Sequence, residues 1–187
     1  MLTNIGVIGD IHAETERLRN ALMFLQEMNL DTILCTGDVV DGTGDVDECC
    51  DLLREHHVVI VKGNHDEWFL KNTMRNLPVA TPVHAVNEVS RRFLQDLPLE
   101  LEFHTPAGNL LLCHGLGKHT MAKVRDDDYG YALESNFELQ ELIQSRRYQF
   151  ILNGHTHYRM MRNFDGLTVI NAGSLLYEDA GFQTIDF

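Results

Sequence analysis

Proline and cysteine are both scarce in this chain, with four of each in 187 residues. No two cysteines stand at C-x-x-C spacing, and Cys49 and Cys50 are adjacent, so the set reads as reduced structural thiols. Long hydrophobic runs are also missing near the start. Ile5 to Ile8 is closed by Asp10, too short and too soon charged for a signal peptide or a membrane span, which predicts a cytoplasmic protein. Basic residues are outnumbered, 15 Lys and Arg against 28 Asp and Glu, for a net charge of −13. Such a surface repels polyanions, and no basic, aromatic-interleaved stretch offers itself to a single strand. The expected partners therefore exclude duplex nucleic acid and membranes. There is no repeat, low-complexity tract or linker. With 44% hydrophobic and 23% charged residues the chain has an ordinary globular composition, and one domain over residues 1–187 is expected.

What is present is an alternation of strand-like and helical segments. Ile5 to Ile8 reads as a buried strand, and Glu14 to Met28 places Leu18, Ala21, Leu22, Leu25 and Met28 on one helical face. Thr32 to Thr36 is a second strand, Asp47 to His56 a second helix and Val58 to Val61 a third strand. This β-α-β-α-β opening implies a parallel sheet with right-handed crossovers. In the second half Leu99 to Phe103, Leu110 to Cys113, Phe150 to Leu152, Arg159 to Asn163, Leu167 to Asn171 and Gln183 to Phe187 are strand-like, with one good helical pattern at Asn136 to Arg146. Two packed sheets with helices outside would bury all of these strands. The expected fold is α/β: a four-layer α-β-β-α sandwich of two packed mixed β-sheets flanked by helices.

Polar residues gather where these strands end. Gly9-Asp10-Ile11-His12 follows the first, Gly37-Asp38 the second and Gly63-Asn64-His65-Asp66 the third; His114-Gly115 follows Cys113, and Asn153-Gly154-His155-Thr156-His157 follows Leu152. The carboxyl ends of parallel strands face one crevice, which is where ligands bind in open α/β sheets. Five of the ten histidines fall in these short segments. Buried imidazoles and carboxylates without partners are expensive, so gathering them needs a cation or a dense polar network.

The ordered set D-x-H, G-D, G-N-H-D, H-G and G-H-x-H, spanning Asp10 to His157, resembles the signature of the calcineurin-like metallophosphoesterases. Asn171-Ala172-Gly173-Ser174 is similar to the N-P-G-S turn of small bacterial and archaeal members, with Ala172 in place of proline. The resemblance implies two divalent metal ions, manganese first and Fe, Zn, Ni, Co or Mg as alternatives. Asp10, His12, Asp38 and His157 would hold one; Asp38, Asn64, His114 and His155 would hold the other. Asp38 would bridge, because a carboxylate offers two oxygens to two cations roughly 3.5 to 4 Å apart. The resemblance also implies attack on phosphorus by a metal-bridging hydroxide. His65 would protonate the leaving group or donate to substrate phosphate, with Asp66 accepting from its ring.

Departures from the family pattern bear on the substrate. Gly37-Asp38-Val39-Val40-Asp41-Gly42 lacks the arginine of the phosphoprotein phosphatases, and no arginine follows closely after Glu67. A small phosphodiester or phosphomonoester is expected, nucleotide-like among the options; a protein or dinucleotide phosphatase and a catalytically inactive interaction scaffold are the alternatives. The loop from Gly115 to Tyr131 is expected to form a rim. Within it Lys118, His119 and Arg125 are candidate phosphate contacts and Tyr129 or Tyr131 a candidate stacking surface, although solvated loop residues fit the same pattern. Glu67 to Leu70 reads either as an apolar wall or as a helix start.

Overall fold

A computed structural model describes residues 1–178 and 181–187. The chain opens with β1 (Asn4–Ile8), α1 (Thr15–Gln26), β2 (Thr32–Cys35), α2 (Val46–Glu55), β3 (Val59–Ile60) and α3 (Asn64–Leu70), followed by a 3-10 turn at Val83–Ala85 and α4 (Glu88–Asp96). The second half holds β4 (Glu100–Thr105), β5 (Gly108–Cys113), α5 (Tyr131–Glu134), α6 (Phe137–Ser145), β6 (Phe150–Asn153), β7 (Arg159–Phe164), β8 (Leu167–Ala172) and β9 (Phe182–Asp186).

The strands form two mixed sheets, ordered β3-β2-β1-β9 and β4-β5-β6-β8-β7. In the first, β1, β2 and β3 are parallel and β9 returns antiparallel beside β1. In the second, β5, β6 and β8 are parallel while β4 and β7 close the edges antiparallel.

Period-two alternation builds the layers, because successive strand side chains point to opposite faces. Ile5, Val7 and Leu34 of the first sheet meet Leu110, Leu112, Leu152, Ile170 and Ala172 of the second in one buried cluster between the sheets. The alternate residues face outward under helices. Ile33 and Cys35 join Leu18, Leu22, Leu25, Cys50 and Leu53 from α1 and α2. Leu111, Cys113, Ile151 and Val169 join Leu139 of α6. The four-layer α-β-β-α sandwich is the observed architecture. All four cysteines are buried and unpaired. No helix among the described residues is long and apolar enough to cross a membrane.

Helix α4 and the short α5 were not anticipated by the sequence pattern. In α4 only Ser90 and Leu94 are fully buried, so its apolar stripe is too narrow to show as a period. Asn87 caps its first turn, accepting from Ser90 N at 2.9 Å, and is tied to α2 through Asp47.

The two halves are joined at the ends of β1 and β8. Asp10 and Ser174 form a parallel bridge. Leu175 N and Ser174 Oγ both donate to the Asp10 carbonyl, at 2.8 and 3.0 Å. The carboxyl ends of both sheets are thereby brought to one crevice.

Candidate metal centre

Each motif leaves its strand through a short, sharply bent loop. Of the eleven non-glycine residues with positive φ among those described, six are His12, Ala13, Asp38, Asp41, His155 and His157. Left-handed backbone costs an ordinary residue about 1–2 kcal/mol, and such strain persists where surrounding structure over-determines it, most often at functional sites. Here the loop after β1 is laced to the loop after β2. Ile11 N and His12 N both donate to the Asp38 carbonyl, and Ala13 N donates to Val39 O. Two glycines permit the approach. A Cβ on Gly63 would stand 2.1 Å from Asp38 Oδ1, and one on Gly154 would stand 2.0 Å from Asp10 Oδ1.

Asp10, His12, Asp38 and His157 converge, with one ligand-type atom from each lying within 4.8 Å of the others. Asp10 is fixed from both oxygens, accepting from Thr36 Oγ1 at 2.9 Å and from His155 N at 2.8 Å. His12 Nδ1 lies 3.2 and 3.1 Å from the carbonyls of Val40 and Asp41, which only accept, so the ring proton sits on Nδ1. Its Nε2 lone pair points at His157 Nε2, 3.0 Å away. His157 Nε2 is also 3.4 Å from Asp10 Oδ2.

The second group converges on the other side of Asp38. His114 Nδ1 donates to Thr36 O at 2.8 Å, which again directs Nε2 inward. Asn64 Oδ1 lies 2.8 Å from both His114 Nε2 and His155 Nδ1. Between the two groups stands Asp38 Oδ2, 3.7 Å from His12 Nε2 and 3.3 Å from His114 Nε2. Neither contact has hydrogen-bond alignment, so this oxygen is buried without a donor. An unsatisfied buried acceptor costs about 1–3 kcal/mol, more when charged. A cation on either side would satisfy it. The donor set of carboxylates, imidazole nitrogens and one amide oxygen suits borderline divalent cations, and the residues present fit a metal pair.

Electrostatics agree with the crowding. Burial pushes Asp10 up to about 7 against the pull of His114. Burial alone would raise Asp38 too, but the charge of His114 beside it holds it below the usual carboxylate range. His114 rises to about 10 because Asp38 and Asp10 outweigh its own burial. Burial, reinforced by neighbouring imidazoles, drives His155 and His157 down to about 4, which leaves them neutral at physiological pH.

His65 sits at the rim of the cluster, but Asp66 does not orient it. His65 N donates to Asp38 Oδ1 at 2.8 Å, and its Nδ1 lies 2.8 Å from Asp41 Oδ2. Asp66 instead accepts from Val39 N, Val40 N and Gly63 N at 2.9, 3.3 and 2.9 Å, joining the start of α3 to the loop after β2. The reason is helical geometry: adjacent residues at 3.6 per turn diverge by about 100°, so a ring and the next carboxylate cannot face each other. Asp41 is the residue that sequence reading missed, although it lies three positions after Asp38. Arg75 grips Asp41 bidentately at 2.7 and 2.9 Å, and Thr81 N adds a third donor at 2.9 Å. Although burial opposes it, this carboxylate raises the His65 pKa above the ordinary imidazole value. Trp68 packs on the same ring, with centroids 4.6 Å apart. Glu67 to Leu70 is thus part of a helix whose Trp68 also serves as a wall.

The loop after His114 is held rather than loose. Arg162 Nη1 donates to the carbonyls of Arg125, Asp126 and Asp128 at 3.0, 3.2 and 2.7 Å, and its guanidinium lies over the Tyr129 and Phe164 rings. Lys118 pairs with Glu100 and His119 approaches Glu138, so the loop cations face acids of their own half. Tyr131 is 82% exposed. The aromatic residues beside the cluster are Tyr177, whose ring lies 6.2 Å from that of His157, and Tyr158.

Comparison with known proteins gives the family and the fold. Residues 3–185 match the calcineurin-like phosphoesterase superfamily domain. A Methanocaldococcus jannaschii protein described as uncharacterized protein MJ0912 is 25% identical over 183 residues, covering 94% of this chain and 71% of that protein. Among solved structures, a metallophosphoesterase from Sphaerobacter thermophilus superposes with a TM-score of 0.66 at 22% identity, over 94% of this chain and 78% of that one. The hypothetical protein PH1004 from Pyrococcus horikoshii OT3 gives a TM-score of 0.70 at 15% identity, over 98% and 87%. At these identities the structural likeness speaks for the fold alone.

Proposed function

This chain belongs to the calcineurin-like phosphoesterase superfamily, a family of metal-dependent hydrolases, and from that premise we propose that it hydrolyses a small phosphodiester or phosphomonoester. Asp10, His12, Asp38 and His157 would hold one divalent cation and Asp38, Asn64, His114 and His155 the other, with manganese the expected ion. The observation that carries this reading is Asp38 Oδ2, a buried acceptor without a donor, flanked by His12 on one side and His114 on the other.

When bound, the cation pair supplies positive charge against the phosphate and the acidity that makes water nucleophilic near neutral pH. The protein's own residues do the rest. Thr36, His155 N and the two backbone carbonyls at His12 fix the ligand rings and carboxylates before substrate arrives, so little reorganisation is needed. His65, its Nδ1 engaged by Asp41, directs Nε2 away from that carboxylate and donates a proton to the leaving oxygen. Arg75 is committed to Asp41, so bidentate clamping of the phosphate by arginine has no support here. That favours a small ester over a phosphoprotein. Net charge of −13 argues against duplex nucleic acid as substrate.

A hydrolysis panel with added Mn²⁺ tests the reading. An aryl phosphodiester should be turned over, and Asp38→Ala and His114→Ala should abolish turnover. A folded, metal-supplemented protein inert toward both diesters and monoesters would overturn it.

A further inference from the structure

Beside His157 lies a cavity of about 310 Å³, within the usual range for a small-ligand pocket. Its walls are Tyr158 and Tyr177, its floor Ala172, Gly173 and Ser174, and Arg159 stands at its edge. The floor is the Asn171-Ala172-Gly173-Ser174 turn, whose small residues leave the space open. Asn171 belongs to its support, donating through Nδ2 to Gly154 O at 2.6 Å. Arg159 is held by donation to Phe182 O at 2.8 Å.

Two features bear on what this cavity can hold. Among the described residues that line it there is no carboxylate, although the protein carries 28 acidic residues. The cavity under the 116–119 loop, by contrast, is lined by Glu100, Glu138 and Glu141. Moreover, Tyr158 and Tyr177 are 67% and 48% exposed, and both line the cavity. Rigid aromatic faces give large contact area at small entropic cost, and every nucleobase has a π-face to lay on them. The Tyr177 ring centroid is 6.2 Å from that of His157. A group stacked there begins one side-chain length from the Asp and His cluster, about as far as a base stands from its own phosphate.

We propose that this slot receives the nucleobase of a nucleotide-type phosphate ester, stacked on Tyr177 and Tyr158 while the phosphate faces His157. The inference rests on the hydrolase reading for its substrate, and the test separates the two. Calorimetric titration of the manganese-supplemented protein with thymidine 5′-monophosphate should give binding about tenfold tighter than with ribose 5-phosphate, the effect of one stacked base. Tyr177→Ala should erase that advantage and Tyr177→Phe retain it. Equal affinity for the two ligands in the unaltered protein, or an advantage that survives the Tyr158→Ala/Tyr177→Ala double variant, overturns the slot. In parallel, thymidine 5′-(p-nitrophenyl phosphate) and methyl p-nitrophenyl phosphate share a leaving group. The kcat/KM ratio between them should fall about tenfold in Tyr177→Ala. If neither ester is hydrolysed while the binding advantage persists, the hydrolase reading fails and the slot stands.

Discussion

The Nε2 atoms of His12 and His157 face each other across 3.0 Å, and His12 has its proton on the other nitrogen. His157 Nε2 also lies 3.4 Å from Asp10 Oδ2. Asp38 Oδ2, 3.7 Å from His12 Nε2, adds a third acceptor to the same space. Lone pairs aimed at a common point are what a cation site requires, and positive φ at His12, Asp38 and His157 shows that the backbone is bent to aim them.

Proton delivery by His65 predicts a dependence on leaving group. His65→Ala should reduce kcat/KM by about 10²–10⁴ for esters with poor leaving groups and far less for nitrophenyl esters. Asp41→Asn should steepen the dependence in the same sense, because it removes the carboxylate that fixes the ring. Asp66→Ala should lower stability without changing the slope, since its contacts are to backbone amides. A leaving-group series on the three variants checks this, and parallel losses across the series contradict the acid role.

Burial between the sheets predicts a stability loss at a site remote from chemistry. Leu112 is fully buried in the central cluster, and truncating such a leucine costs about 2–5 kcal/mol. Leu112→Ala should therefore lower the chemical-denaturation free energy by that amount. A change under about 1 kcal/mol would mean that the two sheets do not share a close-packed core.

Asp31 ties the loop after α1 to the edge of β1, accepting from Thr3 N, Thr3 Oγ1 and Asn4 N. These bonds hold its carboxyl below the usual carboxylate range. A depressed carboxylate contributes stability that is present above its unfolded pKa and is lost as pH falls through its folded pKa. The melting temperature of Asp31→Ala should thus lie below that of the parent at pH 7, with the gap closing under about pH 3 to 4. A gap that is the same at pH 7 and pH 2.5 would contradict this linkage.

The sandwich was legible because strands such as Leu110-Leu111-Leu112-Cys113 carry unbroken apolar runs that only burial on both faces explains. The cluster was legible because its residues follow strand ends directly. Three things were hidden. Asp41 acts on His65 from another loop, a contact between residues 24 positions apart that only the folded path makes and local spacing does not show. Arg75 lies ten positions past His65, and only the folded path brings it to Asp41. The aromatic neighbours of the cluster come from the G-H-x-H strand exit and the chain after β8, whereas Tyr129, foreseen as a stacking surface, lies against Arg162.

The most direct measurement is anomalous diffraction at the manganese edge from crystals grown with Mn²⁺, together with elemental analysis of the same protein. The account predicts two peaks about 3.5–4 Å apart with Asp38 between them, and at most one peak in Asp38→Ala. An empty crevice in the unaltered protein, or a single ion that Asp38 does not touch, contradicts it.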